Sequence, residues 1–397
     1  MKSLPLLGQA PSLEPHGVPL LRLGFRPFYL LAALAGALLM PLWWAVFTGR
    51  LAPASGLEPV SWHAHEMLFG MVAAVVVGFL FTAGKTWTGL PTPRGGQLAF
   101  FALLWLAARI AAIVAPYDVF FTLDVAFLPL VAALFADLVV RARNFRNLGV
   151  AAVLGLLGAA NHWFHLGAGH ALPLDPARPL HAAVALFVVL ETVIAGRVIP
   201  FFTRNVTPGL QNTVSASRER VVMVATLSSL TAWLLQLNPF LTATLLAVAA
   251  VLHAWRLHSW RPAVTLGRPI LWSLHLAYAW LPVGFALLAV QQAVGGSASP
   301  ALHAFTVGAT GGLVLAMMTR TARGHTGRPL IAGPMETLAY ALIAIAAVLR
   351  VGVPLLVPSL YACGIGLAGA CFALACCVYL VAYTPMLCMP RVDGQDG

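Results

Sequence analysis

Apolar residues run in long blocks separated by short basic or Pro-containing loops, a pattern that predicts membrane-spanning helices and not the alternating strands of a barrel. At about 20 mostly apolar residues per span, spans fall near 27–48, 64–84, 97–115, 119–140, 148–167 and 180–201, then 221–237, 240–256, 270–293, 301–319, 335–356 and 360–384. The expected fold is therefore an all-α polytopic bundle of about twelve transmembrane helices. Connections at Pro116-Tyr117-Asp118, Asn238-Pro239 and Pro358-Ser359 are short enough to force antiparallel hairpins. One integral membrane domain, 27–384, lies between an N-terminal segment, 1–26, and a tail, 385–397. The chain shows no internal repeat, low-complexity stretch or separate soluble domain.

Composition hardens this reading. Hydrophobic residues make up 60% and charged residues 9% of the 397, against about 25% charged in ordinary soluble domains, which excludes a soluble enzyme. The net charge of +11 would suggest nucleic acid in a soluble chain; here it reports orientation, and no nucleic-acid partner is expected. Of 23 Lys and Arg, 18 fall in the terminal segments and the loops on their side, two (Arg50 and Arg178) fall opposite, and Arg109, Arg197 and Arg350 remain inside spans. The positive-inside rule then places both termini in the cytoplasm. Residues 1–26 lack the compact charged, apolar and small-residue order of a cleaved leader. All five Cys lie near the last apolar block with no CxxC or CxxCH motif, and they read as buried thiols.

Twelve His are many for so apolar a chain, because an ionisable group inside a bilayer is costly and marks function by default. His63, His65, His162, His165, His170, His181 and His303 gather at the ends opposite the termini. His253, His258 and His275 lie toward the terminal side, His325 in a loop there, and His16 in the N-terminal segment. Several imidazoles converging in an apolar bundle suit haem iron or copper. In Trp62-His63-Ala64-His65-Glu66-Met67, a two-residue helical step turns about 200°, so His63 and His65 face nearly opposite ways and serve either two sites or one ligand and one supporting donor. Met67, one turn from His63, is a candidate soft partner; His162 and His165 share a face. Each His taken alone is as readily an interfacial hydrogen-bonded residue, and His170, in a Gly-rich loop, is better read that way. Only the collective count on one side favours metal.

Other polar groups point to a working interior. Glu66 and Glu191 are either proton-relay or structural carboxylates. Arg197 follows Glu191 by six residues, about 240° net around a helix, so each needs a partner on another helix. Arg197 could hold a propionate or snorkel to the interface. His303, Thr306, Thr310 and Met317 share one broad face of the tenth span, lining a cavity or packing a neighbour. The run 318–329, with Arg320, Arg323, His325 and Arg328, could bind headgroups, a propionate or a phosphate, or simply set topology.

Leu23-Gly24-Phe25-Arg26-Pro27-Phe28, WHAHEMLFG at 62–70, ETVIAGRVIPFFT at 191–203, LHLAYAW at 274–280 and LAMMTRTARGHTGRPL at 315–330 together resemble the NnrS family, over about residues 20–385. The resemblance implies a twelve-span bacterial inner-membrane protein carrying haem b and copper, linked to nitric oxide response and denitrification, with membrane lipid and nitric oxide as partners. It implies no established reaction. Its motif histidines are His63, His65, His181, His275, His303 and His325, with His165 a weaker match. Metal ligation is expected of His63, His65, His181 and His303; cofactor contacts extend to His165, His275, Arg197, Arg320, His325 and Arg328. The competing expectation is a twelve-span transporter or metal carrier with Glu191, Arg197 and Arg350 along its path.

Overall fold

Lipid offers backbone N–H and C=O groups no partners, so a spanning chain must bond internally as helices or close into a barrel. A computed structural model, describing residues 17–169, 172–210 and 214–395, shows the helical solution, with no strand among those residues. Lys2, His16 and His170 lie outside them. In order, the helices are α1 (Phe25–Phe47), α2 (Pro59–Thr88), α3 (Gly96–Val114), α4 (Tyr117–Arg141), α5 (Leu148–Ala168) and α6 (Ala177–Asn205). They continue as α7 (Ala216–Leu234), α8 (Pro239–Ser259), α9 (Pro269–Val294), α10 (Ser299–His325), α11 (Pro334–Leu356) and α12 (Tyr361–Cys388). Eleven are long and apolar enough to cross a membrane; α7, with Arg218, Glu219 and Arg220 near its start, is the other.

Local chemistry sets where these helices begin. Pro59, Pro239, Pro269 and Pro334 occupy first helical positions, where the missing N–H costs nothing and φ is already helical. Asn238 caps α8 by accepting from the N–H groups of Phe240 and Leu241 at 3.0 and 3.1 Å, and Glu58 caps α2 by accepting from that of Ser61 at 3.0 Å. Internal prolines such as Pro129, Pro200 and Pro282 are tolerated, because neighbouring helices re-satisfy the freed carbonyls.

Sequential helices pack as antiparallel neighbours, and α1 also lies against α12, which brings the two ends of the chain together. Arg26 fastens that closure by donating from Nη1 to the carbonyls of Leu387 and Met389 at 2.7 and 2.8 Å. The termini thus share one face of the bundle, the terminal face; the opposite side is the far face.

Three expectations need correction. The tenth span does not stop at 319: α10 runs to His325, so Arg320 and Arg323 lie on the helix and His325 ends it. Hydropathy falls at the first Arg, but Arg320 is retained because its guanidinium stacks over the Phe202 ring at 3.8 Å. The last helix likewise takes in Pro385 to Cys388, assigned above to the tail. Finally, the thiols are not uniformly buried; Cys376 is buried, Cys371 intermediate, and Cys363, Cys377 and Cys388 are exposed. An edge helix facing lipid is as apolar outside as inside, so its sequence does not reveal which face is packed.

Helices α2 and α10 share an irregularity. Each passes through a π-helical stretch, Glu66–Val72 in α2 and Ala304–Gly311 in α10, directly after a histidine. Such stretches are rare and concentrate at functional positions.

Toward the terminal face, helices α6 to α9 are locked by buried Arg256. It forms an ion pair with Glu219 and donates from Nη1 to the Thr192 carbonyl at 2.9 Å and to the Tyr278 hydroxyl at 3.0 Å. The Tyr278 hydroxyl also meets His253 Nδ1 at 2.7 Å, and His253 Nε2 meets Thr226 Oγ1 at 2.9 Å. Gly196 makes this possible: a Cβ there would collide with the Arg256 guanidinium and stand 2.9 Å from Glu219 Oε2. Gly196→Ala is expected to destabilise the bundle by about 1–3 kcal/mol through overpacking, read as a lower unfolding midpoint in detergent; an unchanged midpoint contradicts this lock.

Candidate functional site

The regular α-helix of Pro59–His65 turns His63 and His65 into different surroundings. His65 is fully buried among α3, α4 and α5. Its Nδ1 lies 3.0 Å from Glu66 Oε1, and its Nε2 lies 2.9 Å from Asn161 Oδ1 and 3.2 Å from Asp124 Oδ2. Asp124 Oδ2 also accepts from Asn161 Nδ2 at 2.6 Å and lies 3.0 Å from His165 Nε2. Across the ring, His165 Nδ1 meets the Tyr117 hydroxyl at 2.9 Å. Arg109 ties the two carboxylates together, 2.7 Å from Glu66 Oε1 and ion-paired with Asp124. Phe69, Phe120 and Phe164 pack around the His65 ring and exclude water.

This arrangement depends on a glycine inside the π-helical stretch. A Cβ on Gly70 would stand 2.9 Å from Arg109 Nη1 and 3.1 Å from its Cδ, and the Gly70 carbonyl accepts from Trp105 Nε1 at 3.0 Å. The absent side chain leaves the corridor through which Arg109 reaches both acids.

With neutral imidazoles and both carboxyls ionised, Glu66 and Asp124 would carry two negative charges against the one positive charge of Arg109, a net of one negative charge in a dry interior. If His65 Nδ1 donates to Glu66, its Nε2 lone pair faces two further oxygen acceptors. Both facts call for one more positive charge at His65 Nε2, Asp124 Oδ2 and His165 Nε2, which a proton or a metal ion supplies. One ligand atom from each of His65, Asp124 and His165 lies within 4.8 Å of the other two, and an N,N,O set of this kind suits copper, zinc or non-haem iron.

A second cluster sits on the opposite side of α2. The His63 ring packs on Trp43 of α1 with centroids 4.4 Å apart, and His63 and Arg350 of α11 both act electrostatically on His303 of α10. The His303 ring uses Nδ1 toward the Ser299 carbonyl at 2.7 Å and Ser299 Oγ at 3.3 Å. That leaves Nε2 for another partner, the posture of a metal-ligating histidine. Arg350 donates from Nη2 to Ser299 Oγ at 3.1 Å and its guanidinium also interacts with the Tyr361 side chain, while its buried Nη1 has no hydrogen-bond partner among the described residues.

The remaining candidates are not drawn into either cluster. His181 packs on Trp233 with centroids 5.0 Å apart, and His275 Nε2 meets Thr203 Oγ1 at 3.0 Å toward the terminal face. His325 packs on Phe25, and Arg328 donates from Nη1 to the Thr326 carbonyl at 3.5 Å. His162, expected to share a site face with His165, is exposed and lies against Phe121 while His165 is buried. Met67 packs into the apolar core. Arg197 donates to Asn147 Oδ1 at 3.1 Å, and Glu191 sits beside Thr310 on the wall of a cavity, so these two residues have separate neighbours on other helices.

Sequence reasoning missed Asp124, Asn161 and Tyr117, and left Arg109 without a role. A lone Asp in the apolar run Phe120-Phe121-Thr122-Leu123-Asp124-Val125 was the available signal, by the rule that intramembrane carboxylates are paired or functional.

Asp124→Ala should strip Arg109, Asn161 and two histidines of a shared acceptor and cost about 3–5 kcal/mol, as expected for a buried pair broken on one side. Asp137→Ala, which removes the exposed Asp137–Arg141 pair, should change stability by no more than about 0.5 kcal/mol. Thermal unfolding of both variants checks the contrast; equal effects contradict it.

No curated protein matches the chain. A family model described as NnrS protein matches residues 19–391. Covering nearly all of the twelve-helix bundle and both histidine clusters, that match shows that the chain belongs to the NnrS family.

Proposed function

We propose that this NnrS-family protein binds haem b and copper in the bacterial inner membrane, with both termini cytoplasmic, and protects the cell from nitric oxide by binding or turning over nitric oxide or iron-nitrosyl species. Family membership supports a membrane protein of the nitric oxide response. The observation that carries the cofactor reading is the division of His63 and His65 between two separate far-face clusters.

The residues present fit both groups. His303, with Nδ1 fixed by a backbone carbonyl and Nε2 uncommitted, would hold the iron of a haem; His63 lies nearby, and Arg350 Nη1 would meet a propionate carboxylate. His65, Asp124 and His165 fit copper, which would supply the positive charge that the cluster lacks. When bound, haem iron supplies a coordination position for nitric oxide and copper a one-electron redox centre. The protein's part is to hold these ligands rigidly. Arg109 and Asn161 fix the Asp124 carboxylate, Glu66 fixes His65, Tyr117 fixes His165, and the surrounding Phe rings exclude water.

The carrier alternative expects broken helices at matching positions in two related halves. The π-helical stretches lie in the second and tenth helices, which do not correspond in two halves of six.

Protein purified after expression with haem and copper supply should give a b-type reduced-minus-oxidised spectrum, contain stoichiometric copper, and shift its spectrum on anaerobic addition of nitric oxide. Protein that stays metal-free under those conditions overturns the proposal.

A further inference from the structure

Away from both histidine clusters, the middle of the bundle holds a partly open cavity of about 90 Å³. Its wall comes chiefly from α2, α6 and α10, closed by Tyr29 of α1 and Leu274 of α9. Val75, Phe187, Leu190 and Leu313 typify a lining that is almost wholly hydrocarbon; Tyr29, Glu191 and Thr310 are its polar-bearing members. Roughly 10–15 Å³ admits one water, and a water stays only where it finds two to four polar partners. The Tyr29 hydroxyl and Glu191 Oε2, both buried without a hydrogen-bond partner among the described residues, can hold one at the polar edge, while the hydrocarbon remainder suits a guest of the benzene or xenon kind. Volume therefore does not limit occupancy here, whereas chemistry favours an uncharged, weakly hydrated guest.

The position of the cavity is specific. The π-helical stretch that starts beside His65 ends at Val72, on the cavity wall, and the one that starts beside His303 brings Thr310 onto the same wall. A π turn accommodates an extra residue and so displaces the side chains that follow. Helices α2 and α10, which carry His65 and His303, therefore both change register between their histidine and this one chamber.

We infer that the chamber is a holding site for a small, uncharged, apolar gas of the nitric oxide class, lying on the common wall of α2 and α10, the helices that carry His65 and His303. The inference rests on the reading of nitric oxide as the ligand. Such a gas partitions into the hydrocarbon of the bilayer and needs neither a charged lining nor a hydrogen-bonded path to enter a cavity within it.

Xenon is the probe. The full chain in lipid nanodiscs is titrated with xenon and followed by xenon NMR, beside protein-free nanodiscs and the filling variants Val75→Phe and Ala195→Leu. A saturable bound-xenon signal in the unmodified protein, absent from empty nanodiscs and lost in the filling variants, is expected, together with slower nitric oxide association in the presence of xenon. Absence of saturable xenon binding, or a signal unchanged in both folded variants, overturns the inference. If the variants do not fold, the unmodified protein against empty nanodiscs decides. Saturable xenon binding without any spectral response to nitric oxide supports the chamber and removes the nitric oxide reading; the reverse pattern removes the chamber alone.

Discussion

A guanidinium inside a membrane is tolerable only beside compensating charge, because removing an unpaired ion from water costs several kcal/mol even after relaxation. Arg109 meets that condition by joining Glu66 and Asp124, and this single side chain ties α2, α3 and α4 into one unit. Asn161 and His165 extend the unit to α5 through the same Asp124 oxygen. The arrangement overcompensates: two carboxylates face one guanidinium, and the excess negative charge lies where two imidazole nitrogens converge. A proton or a cation would balance that charge, and the convergence of two imidazole nitrogens with the Asp124 oxygen is the physical basis for reading this cluster as a cation site.

The rest of the far face follows from the same helix. Because α2 is regular through His65, His63 must point away from the Arg109 unit, toward α1, α10 and α11. There its ring packs on Trp43, with His303 and Arg350 within electrostatic reach, a cationic and nitrogen-rich group of side chains that complements an anionic macrocycle better than a bare cation. The two clusters thus differ in sign of charge while sharing one helix, and the π-helical stretch below them lets Gly70 give Arg109 room. The buried lock at Arg256 does comparable structural work near the terminal face, with every charge matched.

Much of this was legible in the sequence, for identifiable reasons. Hydropathy and the basic loops placed all twelve helices, and the 200° step between His63 and His65 anticipated their separation. Legibility failed where partners are tertiary. Asp124 and Asn161 lie in apolar blocks, remote in sequence from His65, and nothing local says that they meet it. The π-helical stretches carry no composition signal, so the face shared by His303, Thr306, Thr310 and Met317 could not be drawn on a regular helix. His181 and His275 are expected from the resemblance as motif histidines, yet here they pack against Trp233 and Thr203 apart from both clusters. The exposed cysteines of α12 show the same limit, since lipid and protein interior select the same side chains.

The central claim is that two histidines, two residues apart, serve different cofactors. Haem and copper content of His63→Ala and His65→Ala, measured on the same purified preparations, tests it most directly. The account predicts that the first variant loses haem and keeps copper while the second loses copper and keeps haem; parallel loss of both groups in each variant, or of neither, would contradict it.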